Sequence, residues 1–366
     1  MQFTITRENL LKALQMVMGA VEKRQIMPIL GNALLKVNND KLVVIATDLE
    51  VELQGIVSVE SVIEEGSITV SARKLLDICR ALPEVKVISL VLDGDNLLIS
   101  CERSRFKLVT LPAVDFPNVE EGVSKDEFHI SQSIFRGLIE RVYFSMAQQD
   151  IRYYLNGMFF IKDPDFLRVI TTDGHRLSLC SYSGNFGESG ISNIIPRKAV
   201  SELMRLLTND EDKITINFGE NHFRVMGQNY TFISKLIDGV FPDYQKLIPK
   251  NISMNIVIDK EVFKQVLSRI AILSNEKYRG VKLYIETGKL AVESHNSDHE
   301  EAYEELPINY EGEALEIGFN VSYLLEAVAA LPNGNIRLSM SGSGNSIQIE
   351  SEEDSSALYV IMPMRI

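Results

Sequence analysis

No apolar stretch of this chain approaches the ~20 residues that a membrane-spanning helix needs, so no membrane span is expected. The N-terminus, Met1-Gln2-Phe3-Thr4-Ile5-Thr6-Arg7, alternates like a strand and lacks a basic segment followed by an apolar run, which argues against a secretory signal. Cysteine is scarce. Cys79, Cys101 and Cys180 are odd in number and lack metal-site spacing, so a reduced cytoplasm fits them best. Positive charge is also in deficit: a net charge of −13 argues, on average, against nucleic acid. Also missing is any convergent set of nucleophile, base and orienting group, which counts against an enzyme. The composition itself, 45% hydrophobic and 24% charged, is that of an ordinary globular protein.

What is present is a repeat. At 366 residues the chain exceeds what one hydrophobic core usually serves. The segment Phe3-Thr4-Ile5-Thr6-Arg7-Glu8-Asn9-Leu10 recurs as Phe128-His129-Ile130-Ser131-Gln132-Ser133-Ile134-Phe135 and as Ile256-Val257-Ile258-Asp259-Lys260-Glu261-Val262-Phe263. Each copy is an alternating strand, a capping-type residue (Thr6, Ser131, Asp259) and an amphipathic helix; the caps lie 125 and 128 residues apart. A second helix recurs near Ala72, Pro196 and Asn320. The strand-like runs Ala33–Val37, Met158–Ile161 and Val281–Ile285 occupy equivalent places, and the connectors repeat Phe116-Pro117 as Phe241-Pro242. Domains are therefore expected over 1–125, 126–252 and 253–366, each with two helices and roughly eight short strands. The class is α+β, with helices on one side of antiparallel sheet.

Charge is segregated. Helices expected over 7–24, 71–82, 131–147, 196–207, 259–275 and 320–331 hold 15 basic and 8 acidic residues, a net +7, which leaves −20 elsewhere. Solvated helix faces often carry Lys and Arg, but the positions repeat. Arg73 and Arg80 are seven apart, as are Lys198 and Arg205, and Arg136 and Arg141 map onto Lys264 and Arg269. Arranged about a common axis, such side chains would share one positive lumen able to hold a duplex phosphate backbone. The sixth helix breaks the pattern, with Val321 and Val328 where cations are expected.

Eight segments in order then resemble one family, the bacterial DNA sliding clamp, or beta subunit of the replicative DNA polymerase III holoenzyme. They are Pro28-Ile29-Leu30-Gly31-Asn32, Thr47-Asp48-Leu49-Glu50, Arg152-Tyr153-Tyr154-Leu155-Asn156-Gly157-Met158, Thr172-Asp173-Gly174-His175-Arg176-Leu177, Phe241-Pro242-Asp243-Tyr244, Ile272-Leu273-Ser274-Asn275-Glu276-Lys277, Gly318-Phe319-Asn320-Val321-Ser322-Tyr323 and the terminus Met362-Pro363-Met364-Arg365-Ile366. The resemblance implies two three-domain subunits joined head to tail in a closed ring, with helices lining the hole and sheets outside. It implies no catalytic residue, metal or required cofactor. Expected partners are double-stranded DNA without sequence preference, a second copy of the chain, and the polymerase catalytic subunit, clamp loader, other polymerases and repair proteins through short linear motifs; a membrane is not expected.

On this resemblance Arg24, Arg73, Arg80, Arg136, Arg141, Arg197, Lys198, Arg205, Lys264 and Arg269 face the hole, with Gln149, Tyr153 and Tyr154 on a loop that touches DNA. A partner-peptide groove is implied at Arg152, Leu155, Thr172, Gly174, His175, Arg176 and Leu177. It continues through Pro242, Lys246, Leu247, Asn320, Tyr323, Gly344 and Ser346 to the tail residues Val360, Met362, Pro363, Met364 and Arg365. Period-two alternation would turn Val360, Met362 and Met364 to one side. Two positions depart from the family: Lys246 stands where relatives often have Arg, and Gly344 where a larger apolar residue is common. The dimer contact is expected to set Lys74, Arg103, Arg105, Phe106 and Leu108 against Ile272, Leu273, Glu300, Glu301 and Glu304, an apolar centre with an ionic rim. The alternative is that Phe106 and Ile272 are core residues of their own domains.

Three motifs invite chemistry and have plainer readings. Asp173-Gly174-His175-Arg176 offers no partner for a general base, so a structural or binding role is expected. His295 and His299 flank Asn296-Ser297-Asp298, which reads as a turn rather than the helix a metal pair would want. Gly342-Ser343-Gly344-Asn345 precedes a strand, so it is a hairpin turn and not a phosphate loop. An enzyme on a repeated α+β scaffold and a structural repeat protein are the remaining classes.

Overall fold

The computed structural model describes residues 1–22, 27–84, 86–117, 126–187, 190–208, 210–342 and 344–365. Arg24 and the boundary expected near 125 lie outside them. The helices are α1 (Arg7–Val17), α2 (Ala72–Ala81), α3 (Gln132–Glu140), α4 (Arg197–Leu206), α5 (Lys260–Ile270) and α6 (Val321–Ala330). Thr6 caps α1 by accepting from Asn9 N at 3.2 Å, and Asp259 caps α5 by accepting from Val262 N at 2.9 Å. α1, α3 and α5 are shorter than their apolar periodicity suggested. They give way to the 3₁₀ turns Met18–Ala20, Tyr143–Ser145 and Ala271–Leu273. Side-chain spacing cannot separate the two helix types, and tightened end turns satisfy carbonyls that the α-helix leaves open.

Most of the apolar stripe is buried, Leu10, Leu14 and Val17 on α1 and Phe263, Val266, Leu267 and Ile270 on α5, but Val262, expected on the same stripe, is 46% exposed. On α6 the expectation needs correcting. Val321 and Val328 are fully buried and lie on the core face. Helix starts show why: Val321 occupies the first position, as Ala72 and Arg197 do. Ser322 and Ala329 are the residues that correspond to Arg73 and Arg80.

The described strands number nine before residue 126, eight between 126 and 252, and eight after it, close to the eight per repeat anticipated. They form two compact units, Met1–Ser133 with Ser201–Leu236, and Ile134–Val200 with Ile237–Ile366. The first unit holds a 13-stranded sheet; the second holds sheets of eight and four strands. The units cut through the middle repeat because each of its two sheets continues into a neighbour. Strand Tyr230–Lys235 pairs antiparallel with Val51–Ser58, Phe232 opposite Leu53. Strand Arg176–Ser183 pairs antiparallel with Ala357–Ile361, Ser178 opposite Tyr359. Both domain joints are thus edge-to-edge strand pairs.

The registers repeat residue by residue. One row runs Phe3, Leu90, Ile99, Phe106; the second runs Phe128, Ile216, Val225, Phe232; the third runs Ile256, Leu338, Ile349, Tyr359. Each ends on an aromatic. Phe232 and Tyr359 are buried at the two joints, whereas Phe106 is half-buried. Among the described residues, Ser104–Val109 pair only with Asn96–Cys101, and Glu301–Pro307 pair only with Lys289–His295. Ile272 is 76% exposed and so is not a core residue of its own domain.

One ion pair ties the second joint. Arg141 lies just beyond α3 and reaches Asp354 at 2.9 Å, with Ser356 also in contact. Burial alone would raise the Asp354 carboxyl. Hydrogen bonds from Ser356 and the Arg141 guanidinium outweigh it and hold the group below the ordinary carboxylate range. A group depressed in the folded state contributes stability above its unfolded pKa of about 3.9, and that stability is lost as pH falls through the folded value. Asp354→Asn is expected to lower the unfolding temperature near neutral pH and to flatten its decline below about pH 4. Scanning calorimetry checks this; parallel acid declines in both proteins would show that the pair contributes nothing.

Candidate functional site

Two sets of residues stand out, one in each unit. In the second unit, Thr172–Arg176 form a turn closed by their own side chains. Thr172 Oγ1 donates to Arg176 O at 2.6 Å and accepts from Gly174 N at 3.1 Å. Asp173 Oδ1 accepts from the backbone N–H groups of His175 at 2.9 Å and Arg176 at 3.0 Å. The same bonds close Thr47–Val51, where Leu49 holds φ 76° in the place of Gly174 at φ 89°. Glycine at 174 is not demanded by the turn, since Leu49 holds the same conformation. A Cβ there would sit 3.0 Å from Arg152 Nη2. Arg152 in turn makes paired bonds to Asp150 at 3.0 and 2.8 Å, which lower that carboxyl to about 2. The turn is therefore a built scaffold that leaves His175 and Gly174 exposed.

Beneath it lies an apolar cluster of Ile170, Leu177, Ile194, Phe241, Tyr244 and Val360, with Tyr154, Leu247 and Ile248 packed against it. Leu177 stands directly opposite Val360, and Val360 opposite Gln348, so the three share one face of the sheet. The structure thus joins Leu177, Leu247 and Val360, as expected, with Leu155 buried and Pro242 half-buried on neighbouring segments. It also gathers Phe241, Tyr244 and Ile248, which sequence reasoning did not assign. The repeated Phe-Pro was the available signal, since Phe116 packs over Ile29, Leu30, Leu34 and Ile45 in the same way.

Several expected groove residues are committed elsewhere. Arg176 donates to Asp173 Oδ2 at 3.0 Å and to Phe144 O at 2.7 Å, pairs with Glu326, and lies 4.2 Å over the Tyr323 ring. It fixes the wall rather than offering a free cation. Asn320 caps α6, accepting from Ser322 N at 2.9 Å and Tyr323 N at 3.3 Å. Lys246 is exposed and pairs with Asp243 at 3.1 Å. Ser346 is half-buried and Gly344, at φ 84°, exposed, both in the turn before strand Ile347–Ser351. The tail does not alternate as expected. Its strand ends at Ile361, and Val360 is 1% exposed, so Val360 is floor and not wall. Beyond it the chain is pinned by Met362 N to His175 O and by Met364 N to Gly318 O, both at 2.9 Å. Met362, Pro363 and Met364 are half-buried and Arg365 is exposed.

In the first unit, Lys12, Arg73, Arg80 and Arg205 line one cavity of ≈ 690 Å³, with Met16, Leu76 and Leu206 beside them. Arg205 also pairs with Glu202 at 2.8 Å. Lys12 is exposed on α1 and was not among the expected contacts, although its helix was. Lys198, Gln149 and Tyr153 are exposed. Four further expected lumen cations are, like Arg205, engaged within the protein. Arg141 holds Asp354, Arg197 donates to Met146 O at 2.7 Å, Arg136 pairs with Glu140 at 2.7 Å, and Arg269 pairs with Glu304. Arg141 falls past the end of α3, where the 3.6-residue period no longer governs direction. Lys264 is 4.0 Å from Glu261. Tyr154, expected on DNA, is half-buried against the apolar cluster.

The chain matches the models of the N-terminal domain of the DNA polymerase III beta subunit over residues 1–120, its central domain over 129–243 and its C-terminal domain over 245–365. It is 48% identical to the beta sliding clamp of Pseudomonas putida and 46% identical to that of Escherichia coli, in each case across 100% of both chains. Among solved structures it is similar to the DnaN sliding clamp of Pseudomonas aeruginosa bound to griselimycin, with TM-score 0.97 and 46% identity over 100% of both chains. Caulobacter crescentus pol III beta is similar too, at TM-score 0.95 and 34% identity over 100% of both chains. With three domain models in order and full-length relatives near half identity, the chain belongs to the sliding-clamp family, the beta subunit of DNA polymerase III.

Proposed function

We propose that two copies of this chain close head to tail into a ring around duplex DNA, and that the ring tethers the polymerase and its partners without catalysing a reaction. The observation that carries this reading is the pair of strand edges left over. Two of three equivalent joints form inside the chain, Phe232 against Leu53 and Tyr359 against Ser178. The third would set Phe106 of one copy against Ala302 of another. Ala302 is the counterpart of Ser178: each stands opposite a hydroxyl residue, Ser294 or Thr171, that donates to the carbonyl ending its domain's first helix region, Ile270 or Val142.

The register follows from that match. Antiparallel pairing puts Lys107 opposite Glu301, Arg105 opposite Tyr303 and Arg103 opposite Glu305, all six exposed. Cations then meet carboxylates and an aromatic face on the outer side, while Phe106 and Ala302 share the inner side. Ile272 and Leu273 supply apolar surface next to the same edge, since Arg269 of α5 already reaches Glu304.

DNA contact is read from the cavity of Lys12, Arg73, Arg80 and Arg205, a set of cations facing phosphate rather than bases. The experiment is retention. The ring loaded onto nicked circular DNA should stay bound and should leave when the circle is cut; equal loss from circle and line would reject encirclement. A quantitative check accompanies it. Replacing Arg73, Arg80 and Arg205 together by Ala should reduce the slope of log affinity against log salt by about 2.7, at about 0.9 for each phosphate no longer neutralised. An unchanged slope would remove these residues from the DNA surface. Peptide tethering is read from the apolar cluster floored by Leu177 and Val360 and edged by the pinned tail.

A further inference from the structure

Next to the tail, and still within the second unit, a separate cavity of ≈ 390 Å³ is lined by Asn275, Tyr278, Gly280, His295, Asn296, Ser297, Met364 and Arg365. Its hydrogen-bonding capacity is lopsided. The Asn275 carboxamide oxygen accepts from Lys277 N at 3.0 Å and Tyr278 N at 3.1 Å. The Asn296 oxygen accepts from Asp298 N at 2.9 Å and Glu300 N at 3.1 Å, and its amide donates to Glu300 at 2.7 Å. Both side-chain carbonyls in the lining are therefore consumed by the turns that carry them. The Asn275 amide, the Tyr278 and Ser297 hydroxyls, the His295 ring and the Arg365 guanidinium have no hydrogen-bond partner among the described residues. Every one of these groups can donate. Among the described residues the lining includes one cation, Arg365, and no carboxylate, and Lys277 sits 5.2 Å over the Tyr278 ring.

The Tyr278 and Ser297 hydroxyls and the His295 ring can also accept, but the Asn275 amide and Arg365 only donate and the one charge is positive, so the cavity favours an anionic ligand rich in acceptors. The geometry points to an oxyanion subsite that takes a carboxylate side chain of a partner peptide, at a position flanking the motif held in the groove. The peptide source is favoured over a free ion because Met364 and Arg365 belong both to this lining and to the tail that edges the groove. The inference rests on the groove reading given under Proposed function.

The test uses the full-length dimer and fluorescence polarisation. Three labelled peptides share the core Gln-Leu-x-Leu-Phe, a short linear motif whose Leu and Phe anchors the apolar floor of the groove would bury. One carries Glu residues before it, one carries Glu residues after it, and one carries Gln on both sides. One acidic peptide should bind about fivefold tighter than the Gln-flanked one at low salt, the scale of a single charge-assisted contact at a surface. The advantage should disappear in Ser297→Asp, which puts a carboxylate into the lining, while the Gln-flanked peptide binds that variant as before. Inorganic phosphate should erode the advantage and leave core binding intact. If the core peptide binds and neither flank helps, the subsite is refuted while the groove stands. If phosphate binds and neither flank helps, the cavity is a free-ion site and the peptide assignment is wrong. If no peptide binds at all, the groove reading itself has failed.

Discussion

Ile272→Ala combined with Leu273→Ala is expected to turn the dimer into monomers of 41.2 kDa. Ile272 is 76% exposed on the 3₁₀ turn that ends α5, a large apolar side chain turned away from its own core. Single exposed apolar residues need no explanation, but this one adjoins a bare strand edge whose two counterparts are both covered. Burying an aliphatic side chain is worth about 1.5–3 kcal/mol, so the double truncation removes roughly 3 kcal/mol per joint. A two-fold ring has two such joints and loses both at once. About 6 kcal/mol corresponds to roughly four powers of ten in dimer affinity, enough to take a nanomolar ring past micromolar. Sedimentation equilibrium at micromolar protein reads the result directly. An unchanged dimer would mean that the edges of Ser104–Val109 and Glu301–Pro307 do not meet.

Removal of residues 362–366 should leave the protein folded and dimeric and abolish binding of a Gln-Leu-x-Leu-Phe peptide. The two backbone bonds removed, Met362 N to His175 O and Met364 N to Gly318 O, are worth about 1 kcal/mol each in net stability. Val360 and Ile361, which are buried, remain in the sheet. The dimer edges lie on other strands, so the subunit contact is untouched. What disappears is the half-buried edge of Met362, Pro363 and Met364 beside the apolar floor. A wall of that kind contributes little to the fold and much to a ligand that covers it, and Met suits varied apolar anchors. Circular dichroism and sedimentation should match the intact chain, with an unfolding temperature lower by a few degrees. Loss of the folded state would make the tail part of the core. Undiminished peptide binding by fluorescence polarisation would put the groove elsewhere.

Much of the architecture was legible in the residues. The three-fold recurrence of strand, cap and helix was readable because amphipathic period and capping chemistry are local: Thr6 and Asp259 make the bonds their type and position foretold. The turn Thr172–Arg176 was legible as a motif for the same reason, since its hydrogen bonds span only four residues. Helix ends were less so, because an apolar stripe continues across a change from α to 3₁₀ geometry.

Direction and partnership needed the tertiary structure. Arg141 and Arg269 carry the same charge as Arg73 and Arg80, and repeat spacing assigned them all to one surface, as the family resemblance did Arg197. Asp354 lies 213 residues from Arg141, and nothing local foretells that they meet. Val360 was placed on a wall by alternation, but the strand next to it decided that it is floor. The sequence by itself determined the three repeats, their helices and strands, and the family, because those depend on period and residue type over short spans. Only the folded chain decided which cations pair within the protein, which side chains share a face across strands, and which strand edges stay without a partner among the described residues. Those are contacts between residues a hundred or more positions apart, set by sheet register and burial.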